Sequence, residues 1–161
     1  MKWKNSVMCM VVVFGVSCSD KEAEPESCAS THALIGAAGS FEGPVGHPFF
    51  PRGNVVVVND CTLEMTEFNW DGLGDETYVY AGIQGEMIND RLEILDGFQI
   101  SEQINGNEIE SADGALASDK EYVDATMTLA LPEGRTLDEV EGVWIFDVSA
   151  EESMSWALLS Q

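Results

Sequence analysis

Three carboxylates and an amide fall within the eight residues Asn69-Trp70-Asp71-Gly72-Leu73-Gly74-Asp75-Glu76. Two glycines let that stretch fold tightly, and oxygen donors on a flexible loop are what Ca²⁺ takes, which makes Asp71, Asp75 and Glu76 candidate metal ligands. The same residues also read as a plain turn: the EF-hand spacing is absent, no bidentate Glu follows at the right interval, and Asp-Gly is first of all turn chemistry. Trp70, Tyr78, Tyr80, Trp144 and Trp156 likewise carry two readings. They form either a platform on which a sugar or peptide stacks, giving a Ca²⁺- or carbohydrate-binding module, or the core of strands, which is the commoner fate of aromatics there.

The other reactive side chains narrow the chemistry by their scarcity. His32 and His47 are the only histidines in 161 residues, which excludes a multi-His zinc centre, and Cys28 with Cys61 lacks the spacing of a zinc knuckle. No Cys-x-x-Cys-His motif is present, so a haem held by His47 and a methionine is not expected. There is no Gly-x-Ser-x-Gly elbow, and His47 would be the sole base for a nucleophile, which sets hydrolase chemistry aside. His47 lies in Gly46-His47-Pro48-Phe49-Phe50-Pro51, a sequence suited to a packed bend, so a structural place is favoured over a ligand or proton carrier. His32 is expected exposed, at the entry to the domain.

The first residues give an address. Lys2 and Lys4 precede the apolar run Val7-Met8-Cys9-Met10-Val11-Val12-Val13-Phe14-Gly15-Val16, and Ser17-Cys18 follows. This is the pattern of a signal peptide, too short to span a bilayer as a mature helix. Gly15-Val16-Ser17-Cys18 resembles a bacterial lipobox, with Cys18 as the lipid attachment residue, although Gly15 stands where a larger apolar residue is usual. The expected location is therefore the bacterial cell envelope, lipid-anchored, with Ser19 after the lipidated Cys favouring the outer membrane. If the lipobox reading fails, the chain is secreted. The polar stretch Ser19 to Ser27, broken by Pro25, has nothing to bury and reads as a flexible tether. The domain plan is thus a signal peptide at 1–17, an acidic tether at 18–30 and one folded domain at 31–161.

Charge excludes more than it identifies. The chain holds 7 Lys and Arg against 29 Asp and Glu, for a net charge of −22, and loss of the two signal-peptide lysines leaves the mature protein near −24. Such a surface repels phosphate backbones, so no nucleic-acid partner is expected. The acids are dispersed from Glu22 to Glu152, a pattern of solubility more than of one site. The expected partners are the membrane, through Cys18, and another envelope or extracellular protein. With Cys9 removed and Cys18 lipidated, Cys28 and Cys61 remain as the one pair, and in an oxidising envelope they can form a disulfide worth ~3 kcal/mol. The alternative is a redox couple or a reactive Cys61 thiol, against which stands Asp60 beside it, which would raise the thiol pKa.

The elements that must position these groups are strands. Val55 to Val58 is apolar throughout, Leu63 and Met65 alternate with Glu64 and Thr66, and Asn59-Asp60 lies between, which predicts a hairpin. Thr77 to Ile83 is an aromatic-rich strand, and Arg91 to Leu95 with Phe98 to Ile104 predicts a second strand pair turning at Asp96-Gly97. Val123, Ala125, Met127, Leu129 and Leu131 alternate with polar residues. Asn105 to Lys120 is expected to be a long loop. Leu137 to Val140 suggests one helical turn, introduced by Thr136 with Glu139 at capping-box spacing. Val143 to Val148 and Met154 to Leu159 close the chain as strands. The fold class expected is all-β, a single antiparallel β-sandwich or flattened barrel.

Read in order, Gly39, Phe41, His47, Gly53, Thr62-Leu63, Phe68, Asp71 to Gly74, Tyr78 to Gly82, Leu131-Pro132 and Val143 to Ile145 form a pattern about 120 residues long. The pattern resembles the DM-thirteen domain, a small extracellular module of Skeletor-type proteins found also beside DOMON domains. The signature positions it marks are His47, Phe68, Asp71, Gly72, Gly74, Trp144 and Asp147. The resemblance implies electron transfer or oxidative modification of surface proteins through a Cys that follows the closing strand. This chain reads Val143-Trp144-Ile145-Phe146-Asp147, so Asp147 replaces that thiol. The expected function is a non-catalytic accessory or interaction module, with an envelope redox accessory using Cys61 as the alternative.

Overall fold

Period-two alternation sets most of the strands. A computed structural model describes residues 28–47 and 49–161, and the lipid-attachment residue Cys18 lies outside them, as do the signal peptide and most of the tether. Ten strands follow in order: β1 Ala38–Ser40, β2 Arg52–Asn59, β3 Thr62–Trp70, β4 Thr77–Ile88, β5 Arg91–Gln99, β6 Glu108–Glu110, β7 Leu116–Ser118, β8 Tyr122–Ala130, β9 Gly142–Asp147 and β10 Glu152–Leu158. They form two four-stranded antiparallel sheets, β1-β2-β3-β8 and β10-β9-β4-β5, packed as a β-sandwich that does not close into a barrel. The small ribbon β6-β7 stands apart from both.

Between the sheets, Val55 and Val57 of β2 and Leu63, Met65 and Phe68 of β3 meet Val79 and Ala81 of β4, Val143 and Ile145 of β9 and Ala157 of β10, all fully buried. Each large side chain so buried contributes about 1.5–3 kcal/mol. The only helical element among the described residues is the 3-10 turn Leu137–Glu139, where Glu139 Oε2 accepts a hydrogen bond from Thr136 N at 2.9 Å.

A second core lies on the outer face of the β10-β9-β4-β5 sheet. β5 and β10 are its opposite edges, yet Arg91 Nη1 is 2.6 Å from Glu152 Oε2, and Ser153 Oγ donates to Glu93 Oε2 at 3.1 Å. The far half of the β4-β5 hairpin therefore bends back across its own sheet. It covers Trp144 and Trp156 with Leu92 and Ile94, and Trp144 Nε1 donates to Leu92 O at 2.8 Å. Register shifts between Ala81 and Ile83 and between Gln84 and Met87 supply the bend. Gly82 is required at the first of these, since a Cβ there would lie 2.9 Å from Gly97 Cα and from Leu95 O.

Three expectations are corrected here. Asp96-Gly97 is no hairpin turn: it lies inside β5 as the extra residue opposite Gly82, with Asp96 at φ 46°, and the strand pair is β4 with β5. The turn itself is Asn89-Asp90, at φ 50° and 63°, the left-handed pair that two-residue hairpins use. Val123 faces water at 67% exposure because Asp124, at φ 48°, interrupts the alternation of β8, and Tyr122 turns inward instead to pack on Phe68. The segment 105–120 is not simply a loop, for Asp113-Gly114 turns β6 back onto β7.

The two ends of the sandwich differ. At one end, Cys28 is disulfide-bonded to Cys61, with Cα atoms 5.8 Å apart, so the last tether residues are tied to the β2-β3 turn. His32 sits there too, half-buried rather than exposed: its Nδ1 accepts from Leu34 N at 3.1 Å, which leaves Nε2–H to donate to Asp138 Oδ1 at 3.0 Å. At the other end lie the start of β2, the end of β3, the start of β4 and the end of β9, because Arg52 pairs with Asn69 and Thr77 with Asp147. The 33-residue separation of Cys28 and Cys61 predicts that replacing both by Ser costs about 3–4 kcal/mol, read as a lower denaturant midpoint with a steeper slope, because the unlinked chain unfolds to a more open state.

Candidate functional site

The residues singled out in the loop after β3 collect at that second end. Asp71 Oδ1 accepts from Leu73 N at 3.1 Å, the self-turn an Asp makes before Gly, and Gly72 is buried against the backbone of Lys120. Asn105 holds the rest of the loop. Its Oδ1 accepts from Thr77 N at 2.8 Å, and its Nδ2 donates to Gly74 O at 2.9 Å. Asn105 was not legible as a functional residue, since Asn-Gly in a polar stretch reads only as a turn. The one hint was the apolar Ile104 before it, which is 2% exposed.

The centre of this end is Asp147, at the end of β9 and 7% exposed. Its Oδ2 accepts from Asp75 N at 3.2 Å and lies 3.5 Å from Thr77 Oγ1. Its Oδ1 accepts from Ser149 N at 2.9 Å, Ser149 Oγ at 2.6 Å and Ala150 N at 3.1 Å. Burial pushes the Asp147 pKa up, but the hydrogen bonds from Ser149, Ala150 and Asp75 outweigh it and hold the carboxyl below its ordinary range. Gly74 faces this carboxylate, and a Cβ there would stand 2.5 Å from Thr77 Oγ1 and 3.4 Å from Asp147 Oδ2.

From Thr77 the site extends outward. Thr77 Oγ1 is also 3.8 Å from Met154 Sδ, and Met154 lines a cleft of about 320 Å³ together with Pro44, His47, Phe49, Phe50, Arg91 and Glu152. Met154 thus meets Thr77 beside Asp147 and shares the lining of the cleft with His47. His47 is exposed on the cleft rim, and its backbone N donates to Pro44 O at 3.2 Å. Arg52 lies over the Phe50 ring, 5.0 Å from its centroid.

Other sequence candidates are not brought together here. Asp71, Asp75 and Glu76 do not converge: the first caps its own turn, the second contributes backbone N–H to Asp147, and Glu76 Oε1 accepts from Tyr78 OH at 3.3 Å. Among the described residues, no group of three or more His, Cys, Asp or Glu is placed to hold a metal ion. Trp70, Trp144 and Trp156 are buried, so they present no open stacking platform, and Trp70 instead stacks on Tyr122 at 9° between planes. Phe68 is also core. The Cys61 sulfur is bonded to Cys28 at the opposite end from Asp147.

The direction of the Asp147 shift fixes its pH dependence. A carboxylate whose folded pKa is depressed stabilises the fold above its unfolded pKa, and that contribution is lost as pH falls through the folded value. Asp147→Ala, which strands the donors, is expected to cost about 2–3 kcal/mol at neutral pH and much less in acid. Urea melts of both proteins at pH 7 and near pH 2.5 measure the convergence.

Residues 45–159 match the family model described as electron transfer DM13. The match begins two residues before His47, takes in the whole Asp71–Thr77 loop and Asp147, and covers more than half of the chain. No curated protein and no solved structure gives a match. On that family match, the chain belongs to the electron transfer DM13 family.

Proposed function

We propose that the protein is a lipid-anchored cell-envelope module that acts by binding, as a non-catalytic accessory, with Cys18 carrying the lipid. The observation that carries the binding role is the placement of Asp147. It stands where the family pattern read from the sequence has its thiol, and every donor around its carboxylate comes from the loops it holds together. A group so engaged is a fastener. The two described cysteines, joined to each other at the far end, add a structural staple. The lipid anchor is supported by Gly15-Val16-Ser17-Cys18 after a short apolar run, and by the acidic, Pro-containing stretch that leads into the domain. A tether of this composition keeps the domain in solvent near a surface that its own charge discourages it from coating.

Two measurements test the two halves. Labelled fatty acid is expected on the wild-type chain and not on Cys18→Ala, which should move from the membrane to the soluble fraction of cells. Thiol mapping of the protein purified from envelopes is expected to find the Cys28–Cys61 disulfide in full and unreduced by mild dithiols. A reversible two-electron couple at those cysteines, poised near the potential of its compartment, would replace the accessory role with the redox one.

A further inference from the structure

We propose that the outer edge of β8 receives an extended segment of a partner protein as an added strand, a segment uncharged and alternately apolar over about six residues and basic at both ends. This names a partner chemistry for the binding role above and rests on that reading.

The two sides of the sandwich are finished differently. On one side β1 is stitched to β10 by backbone hydrogen bonds in both directions, between Ala38 and Ser160 and between Glu42 and Trp156, at 2.8–3.0 Å. On the other, β8 and β5 are the last strands of their sheets and share no ladder. Two side chains reach across that side: Tyr122 OH donates to Ile104 O at 2.9 Å, and Lys120 Nζ to Gln103 O at 3.2 Å. With them, Met127, Thr128 and Leu129 of β8 and the segment 99–104 line a groove of about 510 Å³. Among the described residues, no backbone group of 125–130 bonds outside the ladder with β3, so alternate N–H and C=O groups of this edge face outward unpaired.

The edge lacks the guards that free strands carry. Charges, prolines and bulges keep an edge from pairing with other chains. β5 has them: Arg91, Glu93 and Asp96 lie along it, and two register shifts bend it back over its sheet. β8 has one only near its start, where Asp124 at φ 48° breaks the register. From there Ala125-Thr126-Met127-Thr128-Leu129-Ala130-Leu131 runs without a charge or a proline, and its pairing with β3 from Met127 to Ala130 is regular. A chain with 29 acidic residues leaves this margin bare of them.

Pattern and charge select the occupant. Leu129 is buried and Met127 half-buried, whereas Thr126 and Thr128 face water, so an added strand has one face over the groove and one in solvent. Apolar side chains suit the first face, where Ile100 and Ile104 are also buried, and polar β-branched ones suit the second, beside the threonines. The run is bounded by Glu121 and Asp124 before it and Glu133 after it, so basic residues flanking the incoming segment meet carboxylates at both ends. Lys120, the cation of the groove wall, shares that wall with Glu102. A second copy is a poor occupant. Antiparallel pairing of two β8 edges about Thr128 would set Asp124 of each copy near Glu133 of the other, between chains that each carry −22.

The full chain, labelled at methionine methyl and backbone amide groups, is titrated with the peptide Lys-Val-Thr-Val-Thr-Val-Lys. Its controls are the Glu-ended analogue and a form N-methylated at the three central residues, which cannot build a ladder. The Met127 methyl signal should move saturably with the Lys-ended peptide while buried Met65 stays still, and exchange of the outward amides in 125–130 should slow by about tenfold or more. The Glu-ended peptide should bind at least about fivefold more weakly, and the N-methylated form should leave exchange unchanged. Thr128→Lys, at an exposed position, should weaken the Lys-ended peptide by about tenfold or more with the Met65 signal native. No movement of Met127 by about 1 mM peptide overturns the proposal, as does equal binding of either control. A concentration-dependent dimer that Thr128→Lys dissolves also overturns it, by making a second copy the occupant. Each of these results leaves the lipid label and the disulfide untouched, so a failure here is distinct from failure of the anchored accessory role.

Discussion

A carboxylate taken out of water must be given hydrogen-bond donors, and the way Asp147 obtains them determines the whole end of the sandwich on which it sits. The donors come from two separate segments: Asp75 in the loop before β4 with Thr77 at the start of that strand, and Ser149 with Ala150 after β9. Neither loop can change its path without stranding a buried charge. Asn105 then fastens the first loop from the opposite side through Thr77 N and Gly74 O. A thiol in the place of Asp147 is a weak donor and a weaker acceptor, and would leave three backbone N–H groups without a partner. Aspartate there is a different structural solution, in which charge-assisted hydrogen bonds hold the loops.

The hairpin that bends over Trp144 extends this order to the cleft. By carrying Arg91 across the sheet to Glu152, it places a guanidinium beside a loop that starts on the other sheet. The bend needs its irregularities: the residue opposite Gly82 in β5, the second register shift, and the left-handed turn at Asn89-Asp90. With regular pairing the hairpin would run straight off the sheet edge, Trp144 and Trp156 would face water, and the cleft would lose one wall. Positions that look like lapses of strand alternation are therefore what make the site three-dimensional.

This explains which parts were legible in the sequence. Runs with clean alternation or continuous apolar character, such as Val55 to Val58 with Leu63 and Met65, or Val143 to Ile145, fold as they read because one face is buried along their whole length. The Asp71 to Gly74 turn was also legible, since Asp-Gly acts locally. What could not be read were pairings made by bulges, because Asp96-Gly97 has the same chemistry in a turn as in a bulge and only the partner strand decides. Asn105 escaped for a related reason: a side chain that bonds backbone groups about 30 residues away leaves no mark on its own neighbours. The cleft was hidden most completely, as its lining comes from the 44–50 loop, a hairpin tip and β10, each unremarkable alone.

The distribution of charge between the two ends is uneven. Of the four described Lys and Arg residues, Arg52, Arg91 and Lys120 lie at the Asp147 end, and Arg135 sits with His32 and the disulfide at the other. Everywhere else carboxylates dominate, so the field felt at a distance is strongly negative. At physiological salt that field decays over about 8 Å, which is the scale of the cleft itself. A polyanion spans the acidic flanks as well as the cleft and is repelled along its whole length. The acidity of the chain thus turns away extended polyanions such as nucleic acid.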